Sequence, residues 1–309
     1  MTPDGQNVAF FGIPPLVGGS TKLCLWNSAL AKLIYTYASD TGLNTLAVSS
    51  NGEKLAGVLW PTPELLAVDV VSNITWVIQP YGTFRSSSVG LQFSGDGRFL
   101  TYTMASNDFS NANVYLYDFQ AGTNVLISRS PNTLQPANDA SDSPTISADG
   151  RFIAYRSVAT DLVAGSTDGI PQLIVYDRLA DSNTLLSTTA TGAVGGDNRS
   201  LTPVFSSNGR TLVFAGWASN LAADDFNHFS DLFAYAFFYL DITLGAPAPG
   251  PTVSWPYVSG YNYQVEYKNN LTDSAWQPVA GTVHINGNQA FLTDPVPVSG
   301  QRFYRVVAQ

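Results

Sequence analysis

The 309-residue sequence has few of the residues that carry most enzyme chemistry. Cys24 is the single cysteine, so a disulfide within the chain is excluded, and we expect it to be a small buried side chain in a strand. The two histidines, His228 and His284, stand far apart in the sequence. The sequence has no G-x-S-x-G nucleophile elbow, HExxH motif or histidine cluster, so it offers no pattern for a serine-triad or zinc hydrolase.

Charge is also scarce. Charged residues make up only 12% of the chain, and 23 acidic residues outnumber 14 basic ones, which gives a net charge of −9. Because phosphate backbones require clustered Lys and Arg, this balance argues against a nucleic-acid partner. No apolar run reaches the ~18 residues of a membrane-spanning helix. Aromatic residues (12%) and abundant Ser, Thr, Asn and Gly are typical of an extracytoplasmic β-protein.

The chain is built from a repeat whose clearest part is an Asp-Gly or Asn-Gly turn followed by an alternating strand. The segment SADGRFIAYRS begins at Ser147, and related segments begin at Thr2, Ser49, Ser94 and Ser206. An apolar residue follows each turn glycine by three positions, and an aromatic follows by five in four of the five copies. This alternation predicts a strand with one buried face. The turn glycines are 47, 45, 53 and 59 residues apart: Gly5, Gly52, Gly97, Gly150 and Gly209.

Up to four strand-like segments fall within each repeat, and helical periodicity is absent. This arrangement predicts an all-β fold with a β-propeller of about five visible blades, whereas a sandwich repeats less regularly and β-helix repeats are shorter. The first repeat starts at its turn and lacks its first strand. We therefore expect a fragment of a longer secreted protein, or a first strand supplied from elsewhere, since the chain begins without a secretory signal.

The turn pattern S-x-[DN]-G-[RK]-x-[LIV]-x-[FY], together with the later VYD strand, resembles the TolB-type propeller family with its WD40-like Asp-Gly repeat, over residues 1–240. The resemblance implies the propeller fold but is nearly silent on activity. Propellers of this kind act as protein-interaction platforms, as regulatory domains of peptidases and occasionally as enzymes.

A second domain is expected after the propeller. We assign residues 1–244 to the propeller, the Pro-rich segment GAPAPGP at 245–251 to a linker, and residues 252–309 to a small β-sandwich-like module. The segments SWP, VEYKNNLTD and QRFYRV resemble the fibronectin-type-III-like C-terminal modules of large secreted bacterial proteins, particularly those of Verrucomicrobia and Planctomycetes. Four aromatic residues are expected in its core, with a carbohydrate-stacking platform as the alternative: Trp255, Tyr267, Trp276 and Tyr304.

Propeller sites lie at the mouth of the central channel, on the loops that enter each blade's first strand. The position twelve residues before each turn glycine holds a polar residue in four repeats, and its neighbours are polar in two of them. Carboxylates and amides converging there could bind Ca²⁺ or a ligand, although Asp and Asn are also ordinary loop residues. The candidate residues are Asp40, Arg85, Asn138, Asp139, Asp142, Asp197, Asn198 and Arg199.

A second acidic cluster lies between the second and third strands of the fifth repeat. In DDFNHFSD, the oxygens of Asp225, Asn227 and Asp231 could wrap one Ca²⁺ ion. The match to a calcium-binding loop is partial, so a solvated polar loop is the alternative. Three aspartates that recur at the end of the third strand are expected to be structural rather than catalytic: Asp69, Asp118 and Asp177.

Two functions remain open at the level of sequence. The first is a secreted or periplasmic scaffold that binds a protein, peptide, glycan or small-molecule partner. The second is a Ca²⁺-dependent hydrolase of the lactonase or esterase kind, working in the channel with Asp40, Asn138 and Asp197. Calcium is the one cofactor expected, and no motif for an organic cofactor is found. A glycosidase with two axial carboxylates lacks a supporting motif.

Overall fold

A computed structural model describes residues 1–12, 22–38, 42–60, 64–80, 90–105, 111–166, 169–189, 192, 194–207, 209–223, 225, 229–237, 241–243, 250–257, 262–286, 289–296 and 301–308. These residues form antiparallel strands joined by turns, and none of them lies in a helix. A helix long and apolar enough to cross a membrane is accordingly not found among them. The chain divides into two compact units, Met1–Tyr235 and Ala236–Gln309.

The first unit is a β-propeller of five successive small sheets, each of which is one blade. Blade 1 contains β1 (Asn7–Gly12), β2 (Lys22–Asn27) and β3 (Lys32–Ala38). Blade 2 contains β4 (Gly42–Val48), β5 (Lys54–Trp60), β6 (Leu65–Asp69) and β7 (Thr75–Gln79). Blade 3 contains β8 (Gln92–Phe93), β9 (Phe99–Ala105), β10 (Ala112–Asp118) and β11 (Thr123–Leu126).

The last two blades continue the same order. Blade 4 contains β12 (Ser141–Ile146), β13 (Phe152–Ser157), β14 (Gln172–Asp177) and β15 (Ser182–Leu185). Blade 5 contains β16 (Val204–Phe205), β17 (Thr211–Gly216) and β18 (Asp231–Ala236). The predicted all-β propeller is therefore confirmed. In blade 1 the strand that follows the turn glycine is the first strand of the described sheet, as the sequence indicates.

The repeated turn is held by a local hydrogen-bond network that explains its sequence. In all five copies the glycine, at a φ of 67–72°, donates its amide to the Ser or Thr carbonyl three residues earlier, at 2.8–3.0 Å. The hydroxyl of that Ser or Thr accepts the strand amide five residues on, at 2.9–3.0 Å. The intervening Asp or Asn binds the same hydroxyl, as Asp149 binds Ser147 at 2.6 Å. Each position of the S-x-[DN]-G pattern thus has its own local role.

The aspartates at the end of the third strand are structural, which confirms their predicted role. Asp118 accepts two hydrogen bonds from Arg98, at 3.0 and 2.7 Å, and Asp177 accepts two from Arg151, at 3.1 and 2.7 Å. Each also accepts an amide of the following turn. Asp69 accepts the amides of Val71 and Ser72 in its own turn.

Neighbouring blades are joined by a repeated clasp of side-chain hydrogen bonds. The Tyr155 hydroxyl donates to Asn183 at 2.9 Å, and the Asn183 amide donates to the Ile127 carbonyl of the preceding blade at 3.2 Å. Tyr102, Asn124 and the Ile78 carbonyl form the same arrangement one blade earlier, both at 2.9 Å.

Between the blades, the core forms where one face of a blade packs against a face of the next blade. We call the face turned to the preceding blade the trailing face, and the face turned to the following blade the leading face. In blade 4, Ile153 and Tyr155 lie on the trailing face and pack against blade 3. In blade 2, Ala56 and Ala67 lie on the leading face and pack against blade 3. Successive strand residues alternate between the two faces, as the period of a β-strand requires.

The second unit consists of two sheets that share one core. One sheet has the order β19 (Asp241–Thr243), β20 (Thr252–Pro256), β24 (Gln289–Thr293) and β23 (His284–Asn286). The other has the order β22 (Gln277–Pro278), β21 (Tyr263–Lys268) and β25 (Phe303–Ala308). The sequence places the domain boundary after residue 244, whereas β19 pairs with β20 of the second unit. Within the linker, residues 245–249 lie outside the described residues.

Three of the four predicted core aromatics of this unit are confirmed. Trp255 is buried, and Tyr267 and Tyr304 pack against the same cluster. The prediction is wrong for Trp276, which is half-buried and is not part of that cluster. The cations of Lys268 and Arg305 lie over its ring instead, 5.3 and 4.7 Å from the ring centroid, as cation–π contacts.

Candidate functional site

In blade 4, the predicted channel-mouth residues form hydrogen bonds between the loop before β12 and the loop after β13. Asn138, in the loop before β12, donates its side-chain amide to the Thr160 hydroxyl at 2.8 Å and accepts the Thr160 amide at 3.0 Å. Asp161 accepts the backbone amide of Asn138 at 2.9 Å. Asp139 accepts the amide of Ala140. These side chains therefore order the loop that leads into the first strand.

The same tie occurs in blade 5. Asp197 accepts the amide and the hydroxyl of Ser219, both at 2.9 Å, and Asn220 accepts the amide of Asp197 at 3.0 Å. Asn198 accepts the amide of Arg199 at 2.8 Å. Asp197 and Asn138 thus occupy equivalent positions of successive blades, and both have a structural role there.

Two arginines near these loops already have partners. Arg156 of β13 forms two parallel 2.8 Å hydrogen bonds to Asp142 of β12. Its charge is therefore balanced, in a geometry typical of strong arginine–carboxylate pairs. The guanidinium of Arg199 lies over the half-exposed ring of Trp217, 5.5 Å from the ring centroid.

The calcium predictions remain predictions. Asp40, Arg85 and Asn227 lie outside the described residues. Asp225 and Asp231 are described, with Asp231 at the start of β18. The described part of the chain contains no group of three His, Cys, Asp or Glu side chains that could hold a metal ion.

A first cavity is lined by residues of the first three blades. Its volume is about 340 Å³, and its walls come from the turn before β1, from β1 itself, from β4 and from β8. Gln92 provides one of its few polar side chains, and the Gln92 side chain also accepts the Ile146 amide of blade 4 at 3.1 Å. The side chains of this cavity are mostly apolar and carry no charge.

A second cavity, the outer pocket, lies between blades 3 and 4 and combines an apolar wall with a charged end. Its volume is about 320 Å³. The charged end is formed by Arg129, Tyr176 and Asp181, and β15 contributes Ser182 and Asn183. The apolar wall comes from two loops: Pro131, Leu134, Leu162, Val163 and Ala164. Ligand pockets are typically of this size and have this combination of lining residues.

The charged end of the outer pocket is a connected network. One carboxylate oxygen of Asp181 accepts hydrogen bonds from Arg129 at 2.5 Å and from the Tyr176 hydroxyl at 2.6 Å. Burial, together with Asp181, raises the pKa of Tyr176 to about 12, so the phenol stays protonated as a donor. The Tyr176 and Arg129 hydrogen bonds lower the pKa of Asp181, which is therefore ionised at neutral pH. The Asp181 side chain remains 61% exposed, whereas that of Arg129 is 24% exposed.

Leu134 at the rim of the outer pocket adopts an unusual backbone conformation. Its φ is +57°, a value that bulky residues rarely adopt, and its side chain is 60% exposed. Its amide donates to the Ser130 carbonyl at 2.9 Å, which closes the turn. A turn that holds an exposed leucine in a strained conformation is a feature associated with ligand sites.

Sequence reasoning missed the outer pocket. Asp181 occupies the positive-φ position of the turn between third and fourth strands, where blades 2 and 3 have Asn73 and Gly122. The carboxylate of Asp181 at this turn position of blade 4 was the one feature of the sequence that could have indicated the pocket. Arg129 is 52 residues from Asp181, so their pairing depends on how the blades stack.

Comparison with known proteins gives structural similarity only. No protein-family model matches the chain, and no curated protein matches it. TolB from Acinetobacter baumannii is 15% identical over 81% of this chain, with a TM-score of 0.47. The β-propeller domain of the Trilobed protease from Pyrococcus furiosus is 12% identical over 90% of this chain and 81% of its own, with a TM-score of 0.49.

An enzyme is also among the similar structures. Oligogalacturonate lyase in complex with manganese is 15% identical over 82% of this chain and 72% of its own, with a TM-score of 0.48. The chain spans 61% of the TolB chain and 28% of the tricorn protease chain. Similarity at these levels assigns no activity, metal or partner to this chain.

Proposed function

We propose that the protein is an extracytoplasmic propeller scaffold that binds an extended peptide segment of a protein partner in the outer pocket. The observation that carries this proposal is the pocket itself, in which an apolar wall ends at the Arg129–Tyr176–Asp181 network. The C-terminal unit is proposed to be a fibronectin-type-III-like accessory module of a secreted protein.

The position of the outer pocket suits a peptide in strand conformation. β15 is the last strand in the order of its sheet, and Ser182 and Asn183 of β15 line the pocket. A strand added to this edge would gain main-chain hydrogen bonds and could direct alternate side chains into the pocket. An apolar side chain would pack against Leu134, Leu162 and Val163.

The charge of the pocket indicates that the peptide also contains a basic residue. The exposed carboxylate of Asp181 stands at the mouth of the pocket, on a chain with a net charge of −9. Arg129 and Tyr176 bind one oxygen of this carboxylate, so a Lys or Arg next to the apolar residue would meet the other oxygen and would be steered toward the acidic protein. The proposed ligand is therefore a peptide with a large apolar residue adjacent to a basic one.

An array of 12-residue peptides, probed with the labelled full chain, tests the proposal. We expect the bound peptides to share the apolar–basic pair and to be lost with Leu134→Asp, which places a charge in the wall. Asp181→Asn should weaken binding and reduce its salt dependence, because Asn tolerates the positive φ but lacks the charge.

The matched control is Val194→Asp. Val194 is 50% exposed in the loop that follows β15, the counterpart of the loop that carries Leu134, and it does not line the outer pocket. Peptides that bind Leu134→Asp as well as wild type, or an array without binding, would refute the proposed site. A glycan array with the same variants would identify a carbohydrate partner instead.

The calcium-dependent hydrolase is the second proposal. Its support is that the Asp139 and Asp197 side chains are exposed in loops entering the first strands of adjacent blades. Calorimetry on chelator-stripped protein, with a lactone and ester panel, tests it directly. Calcium binding with calcium-dependent turnover that Asp197→Asn abolishes would support the hydrolase, and absence of calcium binding would refute it.

A further inference from the structure

The edge strand of blade 4 directs the main-chain groups of two residues away from its sheet. The Leu186 amide donates to the Leu173 carbonyl at 2.8 Å, which continues the antiparallel register of β14 and β15 by one residue pair. Hydrogen-bonded and non-hydrogen-bonded pairs alternate along an antiparallel ladder, so Asn183 and Leu185 belong to non-hydrogen-bonded pairs. Their N–H and C=O groups therefore point away from β14, at the side where the described sheet ends.

The side chains of β15 determine which residue of an added strand would enter the outer pocket. The Asn183 side chain points to blade 3, where its amide donates to the Ile127 carbonyl at 3.2 Å. Residues directly opposite each other in an antiparallel pair have their side chains on the same face. A peptide residue opposite Asn183 would therefore direct its side chain between blades 3 and 4, where the outer pocket lies. The residues before and after it would point to the other face.

We infer that the bound peptide is an antiparallel strand on β15, with its large apolar residue opposite Asn183 and its basic residue on the C-terminal side of that apolar residue. This inference rests on the proposed function. An antiparallel chain that pairs with Asn183 passes Ser182 next, and its C-terminal part then reaches the turn that carries Asp181. Antiparallel addition is favoured because parallel pairing is slightly less stable per residue. A parallel strand would require the basic residue on the N-terminal side.

The carboxylate distinguishes the edge of blade 4 from the edge of blade 3. In blade 3 the Ile127 amide donates to the Val114 carbonyl at 2.8 Å, so the same alternation leaves the main-chain groups of Leu126 pointing outward. The turn of that blade has Gly122 at the positive-φ position that Asp181 occupies in blade 4. Blade 3 therefore offers a similar edge without the charge, and it provides the internal control.

Two peptides of the same length and composition test the direction of the strand. They carry the order Leu-Lys or Lys-Leu at the centre of a Ser- and Thr-rich frame, and their binding to the full chain is measured by fluorescence anisotropy. The Leu-Lys peptide should bind about tenfold more tightly, because only this order places the leucine opposite Asn183 and the lysine toward Asp181.

N-methylation of this peptide tests the main-chain pairing with the wild-type protein. Methylation of the leucine amide should weaken binding by about tenfold or more, because it removes the donor to the Asn183 carbonyl. Methylation of the lysine amide should leave the affinity unchanged, because that amide points away from β15.

A pair of proline variants tests the same edge from the side of the protein. Leu185→Pro removes an outward N–H but no hydrogen bond between β14 and β15, and edge strands tolerate proline at such positions. It should weaken the Leu-Lys peptide by about tenfold, whereas Leu126→Pro on blade 3 should bind it like wild type. Thermal melting followed by circular dichroism checks that both variants are folded.

The outcomes separate this inference from the proposed function. Equal affinity for the two orders, or equal effects of the two methylations, would overturn the inferred strand, while loss of binding in Leu134→Asp would still support the outer pocket as a peptide site. Tighter binding of the Lys-Leu peptide would overturn the antiparallel direction. Failure of both peptides to bind would refute the inference and the proposed function together.

Discussion

Substitution of the turn glycine of blade 4 provides a quantitative test of how the blades stack. Gly150 has a φ of +69°, and a Cβ atom built there would lie 2.4 Å from Cδ2 of Phe99 in blade 3. Phe99 has little room to move, because it is 2% exposed and the guanidinium groups of Arg98 and Arg178 lie over its ring, 4.7 and 4.5 Å from the centroid.

The expected effect has two parts. Placing alanine at positive φ costs about 1–2 kcal/mol. Overpacking a rigid core costs about 1–3 kcal/mol more. Gly150→Ala should therefore lower the free energy of unfolding by about 2–5 kcal/mol. Gly122→Ala isolates the first part, since Gly122 has a φ of +65° and no atom within 4 Å of a built Cβ.

Urea unfolding followed by circular dichroism and tryptophan fluorescence measures both variants. Gly150→Ala should unfold at a clearly lower urea concentration than Gly122→Ala. Phe99→Leu should destabilise wild type more than it destabilises Gly150→Ala, because the smaller side chain relieves the clash. Equal effects of the two glycine variants, or strictly additive effects with Phe99→Leu, would refute the stacking argument.

Further predictions concern the clasp, the strand-end aspartates and the strained turn. Tyr155→Phe leaves the Asn183 carbonyl oxygen without its phenol donor and should cost about 1–3 kcal/mol in urea unfolding. Burial raises the pKa of Asp177, but Arg151 and the turn amides outweigh it, so the folded-state pKa is lowered. The stability from Asp177 should be complete above its unfolded-state pKa near ~3.9 and lost as the pH falls through the folded-state value. The melting temperatures of wild type and Asp177→Asn should therefore converge at low pH; a gap that stays constant would contradict this assignment. Leu134→Gly should raise stability by less than ~1 kcal/mol while weakening peptide binding, and unchanged binding would argue against a role for the leucine side chain.

The fold could be predicted because the repeat is governed by local interactions. Ser147, Asp149 and Gly150 form their turn with partners within five residues, so the pattern and its spacing already contain the necessary information. The same reasoning made Asp118 and Asp177 predictable as strand-end residues, since each caps the turn that follows it.

The candidate site could not be predicted in the same way. Arg129 and Asp181 come from different blades, and nothing in either segment specifies which residue of the neighbouring blade will face it. Asn138 and Asp197 were predicted as metal ligands because the side-chain oxygens that bind a metal are the same atoms that order a loop. Their bonds to Thr160 and Ser219 are visible only when the two loops are placed side by side.

Blade 5 departs from the repeat in its hydrogen bonds. In blade 4 the hydroxyls of Ser141 and Ser157 bind each other at 2.8 Å, whereas the equivalent Ser200 faces Gly216, and its buried hydroxyl has no hydrogen-bond partner among the described residues. Phe214 replaces the clasp tyrosine and stacks on Phe233 at 5.3 Å instead. Both changes remove a side-chain hydrogen bond and retain apolar surface. Blade 5 therefore depends on apolar packing more than blade 4 does.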